Sequence, residues 1–244
     1  MAIPKKIKRY QKDYKYSYTL GVYPTIELLL HQPDNVERIV FHSKGINNKG
    51  IQKIKALSKG FGIEPMEDDR LVEKLANRGN TYAIGIFQKY AEQLDLKENH
   101  LVLVHPSSMG NLGTIMRSML GFGHTNLAII EPAADAFNPK TIRSSMGGIF
   151  QLKIQNFAKF ADYWGRFSQH SIYPMMTNGS NQLPNMIFNE PHALVFGEEQ
   201  SGLPDDFHQY GTSVRIPQSG AIDSLNLAQS VGISLYHSWI INNK

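Results

Sequence analysis

An α/β fold is predicted, with a mostly parallel sheet in the second half preceded by a small α/β domain, and three observations predict it. From His100 onward, short apolar runs alternate with stretches of helical spacing, the pattern of a parallel sheet covered on both faces. Residues 18–87 alternate in the same way on a smaller scale, punctuated by Gly60, Gly62, Gly79 and Asn80. The composition, 41% hydrophobic and 19% charged over 244 residues, supplies enough apolar side chains for such cores.

The elements follow in order. Tyr23–Leu30 reads as a helix and Val36–Phe41 (VERIVF) as a strand. Lys49–Lys59 places Ile51, Ile54 and Leu57 on one helical face. A short strand near Ile63, a helix at Asp69–Ala76 and a strand at Tyr82–Phe87 complete the small domain. The polar stretch Gln88–Asn99 is the candidate linker. Beyond it come a strand at 101–104, a helix at about 112–120 and a strand at 127–130. A helix around Lys140–Ser145, a strand near Phe150–Ile154 and a helix at about 157–167 follow. Strands at 172–176, 193–196 and 214–217 then lead to a long helix from about Leu225 to Ile240. The expected organisation is a basic tail (1–16), a small α/β domain with its linker (17–98) and a larger α/β domain (99–244).

Charge is unevenly spread. Lys5, Lys6, Lys8, Arg9, Lys12 and Lys15 face only Asp13 within residues 1–16, a balance of +5, so the rest of a chain of net charge +4 sums to −1. Tyr10, Tyr14 and Tyr16 interleave the cations. Cations attract phosphates and tyrosine rings stack on unpaired bases; a solvated, disordered terminus is the plainer reading.

The chain has no cysteine, which excludes disulfides and thiolate metal sites and suits a reducing compartment. Its nine histidines lack metalloprotease spacing, so no metal is expected. No apolar run reaches membrane-spanning length, and the basic N-terminus lacks the apolar segment of a secretory signal. A soluble, cytoplasmic protein with no membrane contact is expected.

Three segments exceed what a plain βα sandwich requires. In GNLGTIMRSMLGFG (110–123), Asn111 suits an N-cap, Gly113 permits close approach, and Leu112, Ile115, Met116, Met119 and Leu120 form an apolar face. Arg117 is the odd member, either a functional cation or an ordinary surface arginine. In LVFGEEQSGLP (194–204) a strand ends in an acidic loop bounded by Gly197 and Gly202, where Glu198 or Glu199 can accept hydrogen bonds. Open α/β sheets bind ligands at such strand ends. In IPQSGAIDSLNLAQ (216–229), Asp223 or Ser224 is the expected N-cap of the last helix, with Ser224 and Asn226 in its first turn.

Together these segments resemble, in order and spacing, the three signature motifs of the SpoU (TrmH) family of the SPOUT superfamily. Asn111, Gly113 and Arg117 match the first. Gly197, Glu199 and Gly202 match the second, and Ile216, Pro217, Gly220, Ser224, Leu225 and Asn226 the third. FNPKTIRSSMGGIF (137–150) resembles a further family stretch, and roughly 18–87 resembles the family's small substrate-binding domain. Departures are modest: Gln218 where methionine is usual, Ser118 where threonine is usual, and HPSSMGN where many members have a shorter turn.

The resemblance implies a deep C-terminal trefoil knot, a homodimer, and methylation of a ribose 2′-hydroxyl in RNA with S-adenosylmethionine as methyl donor. Ribosomal RNA is slightly favoured over transfer RNA by the added N-terminal domain. Gly197, Gly202, Ile216, Pro217, Gly220 and Leu225 are implied at the cofactor, and Arg117, Asn111, Glu199, Ser224 and Asn226 at the catalytic centre. Arg117 would serve as a base or, preferably, as a clamp on phosphate and developing alkoxide. The alternatives are a non-catalytic RNA-binding module on the same fold and a knotted base methyltransferase. A dehydrogenase is disfavoured because no GxGxxG follows an early strand.

Overall fold

The computed structural model describes residues 6–76 and 80–242; Lys5 of the basic segment and the punctuating Gly79 lie outside them. The chain runs β1 (Tyr16–Tyr18), α1 (Val22–His31), β2 (Val36–Phe41), α2 (Lys49–Gly60), β3 (Met66–Glu67), α3 (Asp69–Leu75) and β4 (Ala83–Gln88). It continues through β5 (His100–Val104), α4 (Met109–Gly121), β6 (Asn126–Ile130), α5 (Pro139–Ser144), β7 (Lys153–Phe157), α6 (Phe160–Arg166) and β8 (Ser171–Pro174). Last come β9 (Asn181–Gln182), β10 (His192–Phe196), β11 (Val214–Arg215) and α7 (Leu227–Asn242). No helix among the described residues is long and apolar enough to cross a membrane.

Two compact units form. One comprises Met1–Tyr90 with Asp135–Gln151, the other Ala91–Ala134 with Leu152–Lys244. The sequence places a boundary near 98 and assigns all later residues to one domain. In the structure the first unit ends at Tyr90 and takes in 135–151. Leu94, from the expected linker, is buried in the core of the second unit.

The first unit has a four-stranded sheet of order β1-β4-β2-β3, antiparallel except for β2 with β3. Ile84 and Ile86, alternating along β4, face Tyr16, Tyr18, Val72 and Leu75 on one side of the sheet, while Ile39 and Phe41 of β2 meet Ile26, Leu29, Ile51 and Ile54 on the other. Periodicity located α1 and α2 within a residue or two because each has one clear apolar face. It missed β1, which lies just past the charged segment.

That segment departs from the expected tail. Ile7 is buried in the core with Tyr16 and Tyr18, and Tyr10 and Tyr14 pack against the same cluster. Tyr14 stacks on Tyr16 at 5.2 Å, and the Tyr10 hydroxyl bonds the carboxylate of Asp135. The tyrosines act as anchors, so their rings are not free to stack on bases, because burying aromatic area outweighs leaving it in water. Residues 135–151 pack in this unit too: Phe150 meets Phe87 edge-on at 5.2 Å and its carbonyl accepts from Gln32.

The second unit holds a five-stranded sheet of order β7-β6-β5-β10-β8 in which every pair is parallel. β5, β6 and β10 are buried along their whole length, as their uninterrupted apolar runs demand of a sheet covered on both faces. Val102, Val104, Ala128, Ile130, Ala193 and Val195 present one face to Phe160, Tyr163 and Phe167 of α6 and the turn after it. The strand expected at 150–154 begins at Lys153, after a 3₁₀ turn, and the one expected at 172–176 ends at Pro174. β9 and β11 form a separate parallel pair.

Candidate active site

The second unit carries a cavity of about 380 Å³ where β8, β10 and β11 end, within the size range of small-ligand sites. Its walls come from three loops: Met175–Asn178 after β8, Phe196–Leu203 after β10, and Val214, Ile216, Gln218 and Asp223–Leu225 leading into α7. This is the carboxyl edge of the sheet, as sequence reasoning expects for an open α/β ligand site.

Glycine is required at the middle loop. A Cβ on Gly197 would stand 2.0 Å from the carbonyl carbon of Gly202, so no side chain fits there. Gly202 has φ 70°, a left-handed backbone that glycine adopts without cost, and its N–H closes on the carbonyl oxygen of Glu198 at 3.1 Å. The loop is a narrow backbone cradle. Met175, Met176, Phe196 and Leu203 add an apolar wall.

Of the two candidate glutamates, Glu199 is the organising one. Its carboxylate accepts from the Ser107 N–H at 3.0 Å, the Ser107 hydroxyl at 2.8 Å, the Ser108 N–H at 3.0 Å and the Asn111 side-chain amide at 3.2 Å. Partial burial alone would raise its pKa. The donors from Ser107 and Ser108 outweigh that and hold it down to about 2. Asn111 in turn accepts from the Asn226 amide at 3.3 Å, so the chain Glu199–Asn111–Asn226 ties the three signature segments together. Glu198 instead accepts from Ser201 within its own loop.

Both expected caps move. α4 starts two residues before Asn111 and is capped by Ser108, whose hydroxyl accepts from the Asn111 N–H. α7 starts at Leu227, and Asn226, not Asp223 or Ser224, caps it by accepting from the Ala228 N–H at 2.9 Å. Capping therefore accounts for Asn226, and Ser224 is left exposed on the cavity wall.

Gly197, Gly202, Ile216, Leu225, Glu199 and Ser224 all line the cavity. Pro217 and Gly220 lie on the exposed stretch between wall residues. Arg117 is exposed on α4, six residues beyond Asn111, and makes no hydrogen bond to Asn111, Glu199, Ser224 or Asn226 among the described residues. Sequence reasoning missed Ser107 and Ser108, visible only as an unusual turn, and the β8 loop, where the Asn178 amide donates to Asp205 at 3.0 Å.

Glu199→Gln is expected to destabilise the second unit by about 1.5–3 kcal/mol, the range for hydrogen bonds to a charged group. The contribution is present above the ordinary carboxylate pKa and lost as pH falls toward 2. Urea titration of both proteins at pH 7 checks it, and equal midpoints would remove Glu199 from this role.

Comparison with known proteins identifies the family. The model of the SpoU rRNA Methylase family matches residues 98–236. The 23S rRNA (uridine(2479)-2′-O)-methyltransferase of Streptomyces viridochromogenes is 27% identical over 66% of this chain, and the match spans only 61% of that protein. The 23S rRNA (guanosine-2′-O-)-methyltransferase RlmB of Acinetobacter baylyi is 27% identical over 92% of this chain and 97% of its own length. In fold, the chain resembles the SpoU methyltransferase AviRb of Streptomyces viridochromogenes, solved with the cofactor AdoMet. The TM-score is 0.80 at 21% identity, covering 94% of this chain and 91% of that one. With the family model spanning the whole network from Asn111 to Asn226, the chain belongs to the SpoU rRNA methylase family.

Proposed function

We propose that this protein methylates a ribose 2′-hydroxyl of structured RNA, ribosomal RNA being favoured, with S-adenosylmethionine as donor. The observation that carries the reading is the cavity at the carboxyl edge of the parallel sheet, walled by the second and third signature segments and tied to the first through Glu199 and Asn111. The relatives that act on ribosomal RNA supply the substrate class.

The cavity suits the cofactor. Its glycine cradle and exposed backbone grip a ligand by main chain, and its methionine and phenylalanine wall suits an adenine ring. Gly197, Gly202, Ile216 and Leu225 would hold it, with Pro217 and Gly220 shaping the loop. Bound there, it supplies a methyl group already activated on a sulfonium. The remaining work for the chain is to place the ribose and stabilise the oxygen that loses its proton. Arg117 is proposed as the clamp on the neighbouring phosphate and the developing alkoxide, with Ser224 on the ribose. Glu199, Asn111 and Asn226 hold the loops in register.

A homodimer is part of the reading. α7 is apolar around most of its circumference, and such a helix is ordinarily covered. Yet Ile233, Tyr236 and Trp239 are 41, 48 and 43% exposed, with Phe122, just after α4, beside the two aromatic rings. A second copy of the chain would cover this face. The C-terminal knot is proposed on the likeness of fold to SpoU methyltransferases and on the insertion of β10 between β5 and β8. The first unit is proposed to select the RNA. A cytoplasmic location fits the cysteine-free sequence.

Calorimetry is expected to show one S-adenosylmethionine, or its demethylated product, per chain. Ligand at about 100 times its Kd adds about 2.7 kcal/mol, which raises the Tm by about 5–10 °C for a chain of this size. A chelator is expected to leave activity intact. No binding at millimolar ligand would overturn the reading. Binding with methyl found on a base would replace it with base methylation, and RNA binding without turnover would replace it with the non-catalytic module.

A further inference from the structure

The pinned N-terminal segment has a second property. Its anchors point inward while its charges point out: Lys6, Lys8, Arg9, Lys12 and Lys15 are exposed, against the single exposed acid Asp13. The backbone between them is fixed at both ends and in the middle. The Ile7 carbonyl accepts from the Lys74 ammonium at 2.7 Å, and the Lys12 carbonyl from the Lys89 ammonium at 2.8 Å. The Lys8 and Tyr10 N–H groups donate to the hydroxyls of Tyr16 and Tyr18 at 3.1 and 3.2 Å. Arg9 donates to the Lys74 carbonyl at 3.2 Å, which places the exposed Lys74 next to the run.

We propose that residues 6–15, with Lys74, form a fixed cationic ridge that grips consecutive phosphates of a structured RNA. A ridge of this kind differs physically from a basic tail. A flexible tail gives up backbone freedom with every contact it makes, whereas a pinned ridge has already lost that freedom on folding. Also, the rest of the first unit, residues 17–90 with 135–151, holds 12 basic and 9 acidic side chains, a balance of +3, whereas residues 1–16 alone hold +5, so the positive field of the unit is densest on this segment. RNA is the occupant because phosphates at regular spacing complement several cations held along one backbone. The inference rests on the methyltransferase reading only for the identity of the RNA's owner enzyme, and its test separates the two.

The probe is an RNA hairpin with a random-sequence loop, titrated by fluorescence anisotropy at several salt concentrations on the full-length protein. The variant Lys8→Gln/Arg9→Gln/Lys12→Gln/Lys15→Gln keeps Ile7, the tyrosines and the four backbone anchors, losing only the Arg9 bond to the Lys74 carbonyl. It is expected to lower the slope of log affinity against log salt by about 3–4, near 0.9 for each lost phosphate contact. Ile7→Ser/Tyr10→Phe keeps every positive charge but removes two anchors. It is expected to lose on the order of tenfold or more in affinity, the part that depends on a preformed ridge. Both variants are expected to bind S-adenosylmethionine as wild type does, which also certifies the fold of the second unit; circular dichroism certifies the first. An unchanged salt slope in the fourfold variant would overturn the ridge. Wild-type affinity in the unpinned variant would reduce it to a flexible tail. Salt-dependent binding to phosphatidylserine vesicles with none to the hairpin would overturn RNA as the occupant. If the ridge binds RNA as expected while wild type neither binds the cofactor nor methylates RNA, the ridge stands and the methyltransferase reading falls.

Discussion

Arg117→Ala is expected to slow single-turnover methylation about 10²–10³-fold, the usual cost of removing one donor that stabilises developing charge. S-adenosylmethionine affinity is expected to stay within about twofold, because transition-state and ground-state contacts are separable and Arg117 is not among the residues lining the cavity. The side chain is exposed on a helix whose opposite face buries Leu112, Ile115, Met116 and Met119, so its loss leaves the core intact. Arg117→Lys is expected to rescue poorly, since an ammonium lacks the planar fork that grips phosphate at two points. Tritiated cofactor and saturating RNA give the rate, and calorimetry gives the affinity. A near-normal rate in Arg117→Ala would make it an ordinary surface arginine.

Acid is expected to destabilise the second unit from about pH 6.5 downward, above the range in which ordinary carboxylates titrate. Four histidines cluster at the amino-terminal edge of the parallel sheet: His100 opening β5, His192 opening β10, and His124 and His170 just before β6 and β8. The His100 and His170 rings lie 4.3 Å apart, and His124 and His192 6.1 Å apart. Burial pushes His100 down to about 4, despite its bond to the Asp95 carbonyl. Burial and the neighbouring histidines push His192 down to about 3. Burial lowers His124 and His170 as well. All four are therefore neutral in the fold and free to protonate once unfolded. The unfolded chain binds more protons below about pH 6.5, so stability falls as pH drops from there toward 4. The loss is on the order of 3 kcal/mol for His100 alone, at 1.36 kcal/mol per unit. His192 sharpens the test, because neither of its ring nitrogens has a hydrogen-bond partner among the described residues. His192→Leu is expected to match or exceed wild-type stability at pH 7.5 and to lose less of it at pH 5. Urea midpoints at both pH values decide. A wild type equally stable at pH 7.5 and pH 5 would show that these rings are not held neutral.

The sequence made the architecture legible where one face of an element is uniformly apolar. VERIVF, LVLV, LAII and ALVF are each strands, and the 112–120 stripe lies within α4. Helix starts were less legible because capping is a competition among neighbours. Ser108 won over Asn111, and Asn226 over Asp223 and Ser224, by backbone geometry that composition does not encode. Loop chemistry was legible as residue types but not as partners. Glu199 finds Ser107 across 92 positions, and nothing in SSMGN announces a carboxylate clamp. The charged N-terminal run misled in the other direction. Its lysines read as a solvated tail, while Ile7, Tyr10 and Tyr14, spaced too irregularly for any period, seat it in the core.

The excursion at 135–151 bears on how this protein can change over generations. The polypeptide crosses between its two units three times, after Tyr90, Ala134 and Gln151. A domain hung on one linker can be gained, lost or exchanged by a single recombination event. Here, removing the N-terminal residues would strand Ile142, Ile149 and Phe150, buried in a unit that no longer existed. Gly147, whose absent side chain makes room for the backbone at Pro24 and the stem of Glu27, would lose its reason to be glycine. Any viable shortening of the gene must rewrite residues 135–151 at the same time. The two units are heritable only as a pair, so drift in the one is tethered to the other.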